Sequence, residues 1–398
     1  MPRALLQVVQ ISFFNDPASR TPEELLQAWP SLVDVAEAAC HAGVSVSVVQ
    51  TSAHSEHLQR NGVHYYFLPF GAAVPEIRKS AALGELLRQL APDVLHVHGL
   101  GFLNDIESLA VIAPAVPIVV QDHASRAPRF WRRASWRRAL GSVAGITFCA
   151  LQQAQPFITA GLVNPRTRLY AIPESTSRFT PGDQREARRV CQVSGDPAVL
   201  WVGHLNANKD PMTVLDGISD AARVLPRLQL YCCFGVAPLL RAVEARIIAD
   251  PLLRERVHLL GRVPHDTVEQ LMRAADVFVL GSHHEGSGYS LIEALACGLA
   301  PVVTDIPSFR ALTGAGAIGK LWPCNDSRAL ATILPSIAWR SGTAMRATVR
   351  AHFERELSFA AVGRKLAAMY QDLRDGDGSG TVERMLPRDH RAPRGVRN

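Results

Sequence analysis

No apolar run in this 398-residue sequence approaches the roughly 18 residues a membrane-spanning helix needs, so no transmembrane segment is expected. The opening Met-Pro-Arg-Ala-Leu-Leu-Gln-Val-Val-Gln-Ile is broken by glutamines and lacks a cleavage signature. It is expected to be a first strand rather than a secretion signal. Cysteine is sparse: Cys40, Cys149, Cys191, Cys232, Cys233, Cys297 and Cys324 are odd in number and scattered, with no Cys-x-x-Cys pair. That argues against a disulfide framework and fits reduced core thiols of a cytoplasmic protein. Charge is modest at 20%, with a formal net value of +6. No DNA- or RNA-binding signature accompanies the surplus, so no nucleic-acid partner is expected; an anionic substrate or an anionic membrane surface suits it. What is plentiful is apolar: 47% of the residues are hydrophobic, enough in this length for two domains with complete cores.

The apolar runs alternate with helical patterns. Leu5 to Ile11, Val44 to Val49, Val94 to Val97, Ile118 to Val120 and Ile146 to Cys149 are predicted strands, with helical patterns at Glu23 to Ala42 and Ile77 to Leu90. The rhythm resumes with strands at Val199-Leu-Trp-Val202, Leu228 to Cys233, Val257 to Leu260, Val277 to Leu280 and Val302-Val303. This is the βα alternation of doubly wound parallel sheets. Between the halves, Ile172-Pro-Glu-Ser-Thr-Ser-Arg-Phe-Thr-Pro-Gly-Asp183 has linker composition, which puts a boundary near residue 180. Phe353 to Leu373 is helical in pattern. The expected division is therefore 1–180, 181–355, a helix over 356–374, and a polar tail over 375–398.

Glu285 and Glu293 stand eight positions apart in Gly281-Ser-His-His-Glu-Gly-Ser-Gly-Tyr-Ser-Leu-Ile-Glu-Ala-Leu-Ala-Cys-Gly298. A strand precedes this stretch, and a helix is expected over Ser290 to Cys297, closed by Gly298. Glu285 then lies in the loop and Glu293 on the helix. Glycines at 286 and 288 let backbone N–H groups approach an anion, and the helix N-terminus adds partial positive charge. The carboxylates, as acceptors, suit sugar and ribose hydroxyls rather than phosphate. Solvated glutamates on a strand-loop-helix unit are the plainer alternative.

This segment resembles the Glu-x7-Glu motif of the family 4 retaining glycosyltransferases, and the likeness extends through Pro301-Val-Val-Thr-Asp305. The resemblance implies the GT-B fold: two Rossmann-like doubly wound domains facing across a cleft, with a C-terminal helix crossing back to the N-terminal domain. It covers most of residues 1 to 373. It implies that Glu285 contacts the donor sugar, that Glu293 holds the nucleotide ribose, and that the loop amides of Gly286, Ser287, Gly288, Tyr289 and Ser290 hold the diphosphate. It further implies retention of configuration by front-face attack, without a protein nucleophile and without a metal or other cofactor.

A second motif is Trp201-Val-Gly-His-Leu-Asn-Ala-Asn-Lys-Asp-Pro211, a strand, a polar loop and a helix entering near Pro211. A lysine ammonium there stabilises a diphosphate leaving group as a point charge. The family's corresponding segment is Val-Gly-Arg-Leu with a lysine five residues after the arginine. Gly203 and Lys209 match; His204 stands at the arginine position, where a neutral imidazole offers one donor instead of a charged fork.

In the first half, Pro92-Asp-Val-Leu-His-Val-His-Gly99 and Val119-Val-Gln-Asp-His123 end strands in histidine, and strand C-terminal ends face the ligand crevice in open α/β sheets. The first run resembles the family's corresponding strand, and His123 falls where the family places a histidine near the donor sugar and β-phosphate. His98 is the acceptor-side candidate, and His96 is expected to be structural. The family's N-terminal glycine loop is not recognisable; Phe13-Phe-Asn-Asp-Pro-Ala-Ser-Arg-Thr-Pro22 replaces it. Asp375-Gly-Asp377 imitates an Asp-x-Asp metal motif and an EF-hand opening, but Leu386 stands where that loop needs glutamate, so no calcium site is expected. Arg126, Arg129, Arg132, Arg133, Arg137 and Arg138 interleave with Trp131 and Trp136. This composition suits either contact with anionic lipid at the inner membrane face or a solvated basic helix.

The expected function is transfer of a sugar from a nucleoside-diphosphate sugar to a hydroxyl of a saccharide, lipid-linked or small-molecule acceptor. His123, Lys209 and Glu285 are the catalytic candidates. The alternative is a non-catalytic nucleotide-sugar or glycan-binding module of the same fold, motivated by His204 and the missing glycine loop. A nucleotide-sugar epimerase of GT-B architecture fits the Glu-x7-Glu pattern less well.

Overall fold

The structure is a computed structural model and describes residues 5–70, 76–338, 342–376 and 384–385. The chain divides into two compact units, Met1–Glu174 with Gly363–Asn398, and Ser175–Val362.

The first unit is built on β1 (Gln7–Ser12), β2 (Ser45–Thr51), β3 (Glu56–Arg60), β4 (Val63–Leu68), β5 (Val94–His98), β6 (Ile118–Gln121), β7 (Gly145–Phe148) and β8 (Arg168–Ala171). Strands β1, β2 and β4 to β8 run parallel. β5 to β7 are buried along their whole length, as parallel strands covered on both faces must be. β3 returns antiparallel to β4 through Asn61-Gly62, both at positive φ, a hairpin turn whose twist matches its strands. Glu-His-Leu-Gln-Arg is polar on both faces and largely exposed, so its strand left no apolar trace in the sequence. The helical pattern over Glu23 to Ala42 resolves into two helices, Pro22–Ala28 and Pro30–His41, because Pro30 starts a new one.

The second unit comprises β9 (Ala198–Gly203), β10 (Gln229–Phe234), β11 (Val257–Gly261), β12 (Val277–Leu280), β13 (Ala300–Thr304) and β14 (Lys320–Trp322), all parallel, in the order β11-β10-β9-β12-β13-β14. Between β9 and β12 the order reverses direction. Such a switch point leaves a crevice at the strand C-termini.

The units divide at Glu174 and Ser175 rather than near 180, because the segment after Ser175 is tied to the second unit. The Thr180 N–H donates to Glu269 Oε1 (2.8 Å), Arg273 Nε donates to the Thr180 carbonyl (2.8 Å), and Thr176 donates to the Leu357 carbonyl (2.5 Å). The pattern over Phe353 to Leu373 likewise covers two helices, Thr343–Glu356 and Phe359–Asp375, and the chain rejoins the first unit at Gly363 rather than 356. Arg178 over the Phe359 ring (4.6 Å) keeps the start of the last helix in the second unit. Its later turns return to the first sheet: the Tyr170 hydroxyl donates to Asp372 Oδ2 (2.6 Å), and Tyr370 meets His96 Nδ1 (2.6 Å).

The tail expectation needs correction at two points. The helix runs through Asp375, and β15 (Arg384–Met385) pairs antiparallel with β8, where a polar sequence needs only backbone to extend a sheet edge. Asp377 and Leu386 lie outside the described residues. All seven cysteines are free, and no described helix is long and apolar enough to cross a membrane.

Candidate functional site

The two motifs of the second unit meet at the β9/β12 switch point. Their loops are zipped together by main-chain hydrogen bonds: the His283 N–H donates to the Asn208 carbonyl and the Asn208 side-chain amide donates to the His284 carbonyl, each at 2.8 Å. The zip sets Lys209 beside Glu285, with Nζ 2.5 Å from Oε1. Both side chains are mostly buried, so the pair is less screened than a surface one. The sequence assigned Lys209 to phosphate and Glu285 to sugar. The structure brings both together and neutralises each with the other.

The helix after the second loop is Tyr289–Ala296, with Cys297 as its C-cap and Gly298 beyond it at positive φ. Gly288 is its N-cap, at φ +80°, and a Cβ there would stand 2.7 Å from the Phe309 ring. Any other residue is excluded twice over, by backbone conformation and by space. Gly288 itself has no side chain with which to cap this N-terminus. The helix Pro211–Ala222, by contrast, is capped by Asp210, whose carboxylate accepts from the Thr213 N–H. Of the two helix ends at the crevice, the uncapped one keeps its dipole for an incoming anion. Ser287 is fully buried, backbone included.

Glu293 points from the first turns of this helix to His265 Nε2 at 2.7 Å. That hydrogen bond raises the His265 pKa above its ordinary value, opposed by burial and aided by the charges of Glu293, Asp266 and Glu269. His265 starts a different helix, His265–Ala274, and its ring packs on Phe179 (4.6 Å between centroids). Sequence reasoning missed it, because nothing local to Gly-Arg-Val-Pro-His265 marks a partner 28 residues downstream. His204 is exposed, and its Nδ1 accepts from the Val236 N–H (3.2 Å), which leaves Nε2 as the donor. A cavity of ≈ 390 Å³ is lined by Gly203, His204, Lys209, Glu285, Tyr289, Ser290 and Glu293, together with Arg262 and Val268.

In the first unit the histidines cluster at the C-terminal ends of β5 and β6. The His96 and His98 rings stack at 4.7 Å, and His98 and His123 lie 5.7 Å apart. Burial, with the neighbouring His123, depresses the His96 pKa to about 3. Burial, with His96 and His123, drives His98 well below its usual value. His98 is only 7% exposed and is hydrogen-bonded to Gln10 (3.2 Å). A second cavity of ≈ 290 Å³ lies past the ends of β1, β2 and β5, lined by Phe13, Thr51, Phe70, Lys79, Phe102 and Asp105. The segment Phe13 to Pro22, which replaces the glycine loop, contributes its first ring. Among the described residues no group of three or more His, Cys, Asp or Glu side chains could hold a metal ion.

The basic segment folds as a short turn, Phe130–Arg132, and a helix, Arg133–Leu140. Phe130 and Trp131 are exposed. Trp136 is not: it is 6% exposed and stacks on Phe157, so it belongs to the core rather than to any lipid-facing set. Arg138 is paired with Glu107, and Arg137 donates to the Gly161 carbonyl.

Comparison with known proteins agrees with this geometry. Residues 183–338 match the model of Glycosyl transferases group 1. Over 238 residues, 57% of this chain and 60% of its counterpart, the sequence is 27% identical to the GDP-mannose:cellobiosyl-diphosphopolyprenol alpha-mannosyltransferase of Xanthomonas campestris. The matched region thus spans less than two thirds of that relative. In structure, the chain is similar to sucrose-phosphate synthase from Thermosynechococcus elongatus (TM-score 0.67, 17% identity, 93% of this chain and 100% of the other). It is also similar to Anabaena HepE in complex with UDP and glucose (TM-score 0.65, 16% identity, 92% and 99%). The architecture is that of the GT-B glycosyltransferases. The chain carries a glycosyl transferases group 1 domain in its second unit.

Proposed function

We propose that this protein is a glycosyltransferase that moves a sugar from a nucleoside-diphosphate sugar to an acceptor hydroxyl with retention of configuration. The observation that carries the reading is the pairing of Lys209 with Glu285 and of His265 with Glu293 along one cavity, beside an uncapped helix N-terminus. Each carboxylate is held by a basic side chain that a ligand can displace or share. With donor bound, Lys209 turns to the diphosphate and Glu285 to the sugar hydroxyls, while Glu293 accepts from the ribose. As the bond from the sugar to the phosphate oxygen breaks, the leaving charge falls on Lys209 and the helix amides. The acceptor oxygen attacks from the same face and its proton passes to the departing phosphate. Lys209 supplies the countercharge, so no resident metal enters this scheme.

The acceptor is assigned to the N-terminal unit, where the Phe13, Phe70 and Phe102 cavity takes its apolar or ring portion. A lipid-linked acceptor suits the exposed Phe130 and Trp131 among the segment's arginines, which we assign to an anionic membrane surface. The protein is then expected to sediment with anionic vesicles, release in salt, and ignore zwitterionic ones; Trp131→Ala should weaken the contact.

The test of the donor site is calorimetry with UDP and GDP. Glu293→Ala should weaken whichever nucleotide binds by about tenfold or more, since a hydrogen bond to a charged group contributes about 1.5–3 kcal/mol. Glu285→Ala should leave nucleotide affinity nearly intact while transfer falls. Equal nucleotide binding by the parent and Glu293→Ala would move the site elsewhere. The non-catalytic alternative is favoured only by His204 and the missing glycine loop, and hydrolysis of bound donor by the parent would exclude it.

A further inference from the structure

Glu174 was legible only as linker, in the run Ile172-Pro-Glu-Ser-Thr. The structure gives it different work. Its carboxylate is buried at the end of the first unit, 5% exposed, and Oε2 lies 2.5 Å from Nδ1 of His123. His123 sits just past β6, where Ala124 takes positive φ and the Asp122 carboxylate accepts from the Ser125 N–H (2.9 Å). This bend fixes the direction of the His123 ring. The other ring nitrogen, Nε2, is buried and has no hydrogen-bond partner among the described residues.

A buried, unpartnered ring nitrogen is costly unless something arrives to meet it. We infer that Glu174 is a positioning residue that locks His123 through Nδ1–H and presents Nε2, proton attached, to an oxygen of the bound substrate. The inference deepens the proposed transfer reaction and rests on it for the identity of that oxygen, a sugar hydroxyl or a phosphate oxygen. The geometry itself does not depend on that identity.

The surrounding charges favour the same state. Burial works against the imidazolium, and the Glu174 hydrogen bond, the Glu174 charge and Asp122 together overcome it, so the His123 pKa lies above its ordinary value. From β5, His96 and His98 face the same ring, and both stay neutral because their own pKa values are depressed. The cluster therefore concentrates its one proton on the histidine that carboxylates hold.

The test is imidazole NMR on the full chain, with the pH dependence of GDP-mannose and UDP-glucose turnover measured in parallel. In the parent, His123 should titrate above ~6.5 and keep its proton on Nδ1 when neutral. In Glu174→Gln the midpoint should fall by about one unit or more, since an opposite charge in contact shifts a pKa by that much. The alkaline limb of turnover should move to lower pH with it. Glu174→Asp, which keeps the charge, should restore most of the midpoint. A folded Glu174→Gln with an unchanged His123 midpoint overturns the inference, and so does a shifted midpoint with an unmoved alkaline limb. If the parent turns over neither donor, yet His123 responds to Glu174 as stated, the proposed reaction fails and the hold of Glu174 on the ring stands.

Discussion

Both sheets present a switch point, β1/β5 in the first unit and β9/β12 in the second, and they fill it with opposite chemistry. The second carries basic side chains and carboxylates in contact, Lys209 with Glu285 and His265 with Glu293, around a cavity open to solvent. The first buries two neutral histidines inside the sheet and surrounds its cavity with phenylalanines. Topology puts a crevice in both places; only side chains decide what enters. A site of displaceable ion pairs suits a ligand with phosphates and hydroxyls. A cavity that gathers the Phe13, Phe70 and Phe102 rings suits a less charged partner.

The comparison breaks first at Lys209. If the charged switch point carries the reaction, Lys209→Ala should lower transfer by about 10²–10³-fold, the usual scale for losing a preorganised group at the leaving charge. Glu285→Gln should also be severe, and the double variant should be little worse than either, because the two side chains act as one pair. Steady-state rates for the three variants decide it. Additive losses would mean that Lys209 and Glu285 serve separate ligands.

How much of this was legible follows from how local each signal is. The Glu285–Glu293 loop and the Lys209 loop were visible because each is a contiguous strand-loop-helix stretch whose glycines and proline punctuate it. The partners that neutralise these groups were not. His265 and Glu174 come from distant turns, and a lone histidine or a glutamate in a Pro-Ser-Thr run carries no local mark. Most of the parallel strands were found from their apolar runs, whereas β3, β4, β8, β14 and β15 were missed: β3, β14 and β15 are short or polar edge strands, β8 is only four residues long, and the alternating Val-His-Tyr-Tyr-Phe-Leu of β4 was passed over. The helix break at Leu357 to Ser358 hid for a similar reason: apolar periodicity resumes across it.

A middle-sized effect tests the neutral histidines of the first unit. His96 is held neutral when folded, with a pKa of about 3, whereas an unfolded histidine takes a proton below ~6.5. The unfolded state then binds more protons, so stability falls as pH drops from 6.5 toward 3, by up to about 1.4 kcal/mol per unit for this one residue. His98 acts in the same direction. His123, with its raised value, acts oppositely: its contribution is complete below 6.5 and is lost as pH rises through the folded pKa. Hydrogen exchange in β5 and β6 at pH 7, 6 and 5 should show steeper acid loss in the parent than in His96→Gln. Parallel slopes would mean His96 is not kept neutral by burial.

The smallest expected effect sharpens the charged site. His204 stands where the family pattern has arginine, and its Nδ1 is occupied by the Val236 N–H, so Nε2 is the one donor it can offer the cavity. Arginine at this position would bring a fixed charge and a planar fork of donors, at the cost of leaving the Val236 N–H without its acceptor. Val236 is exposed, so water can take that bond and the cost is small. A regained charge-assisted hydrogen bond to the diphosphate should then dominate. His204→Arg is expected to tighten UDP or GDP binding by on the order of 1 kcal/mol, roughly fivefold, with the gain shrinking as salt is added. Calorimetric affinities at low and high salt measure it. No gain at low salt would place the diphosphate away from His204, leaving Lys209 and the helix Tyr289–Ala296 as its whole support.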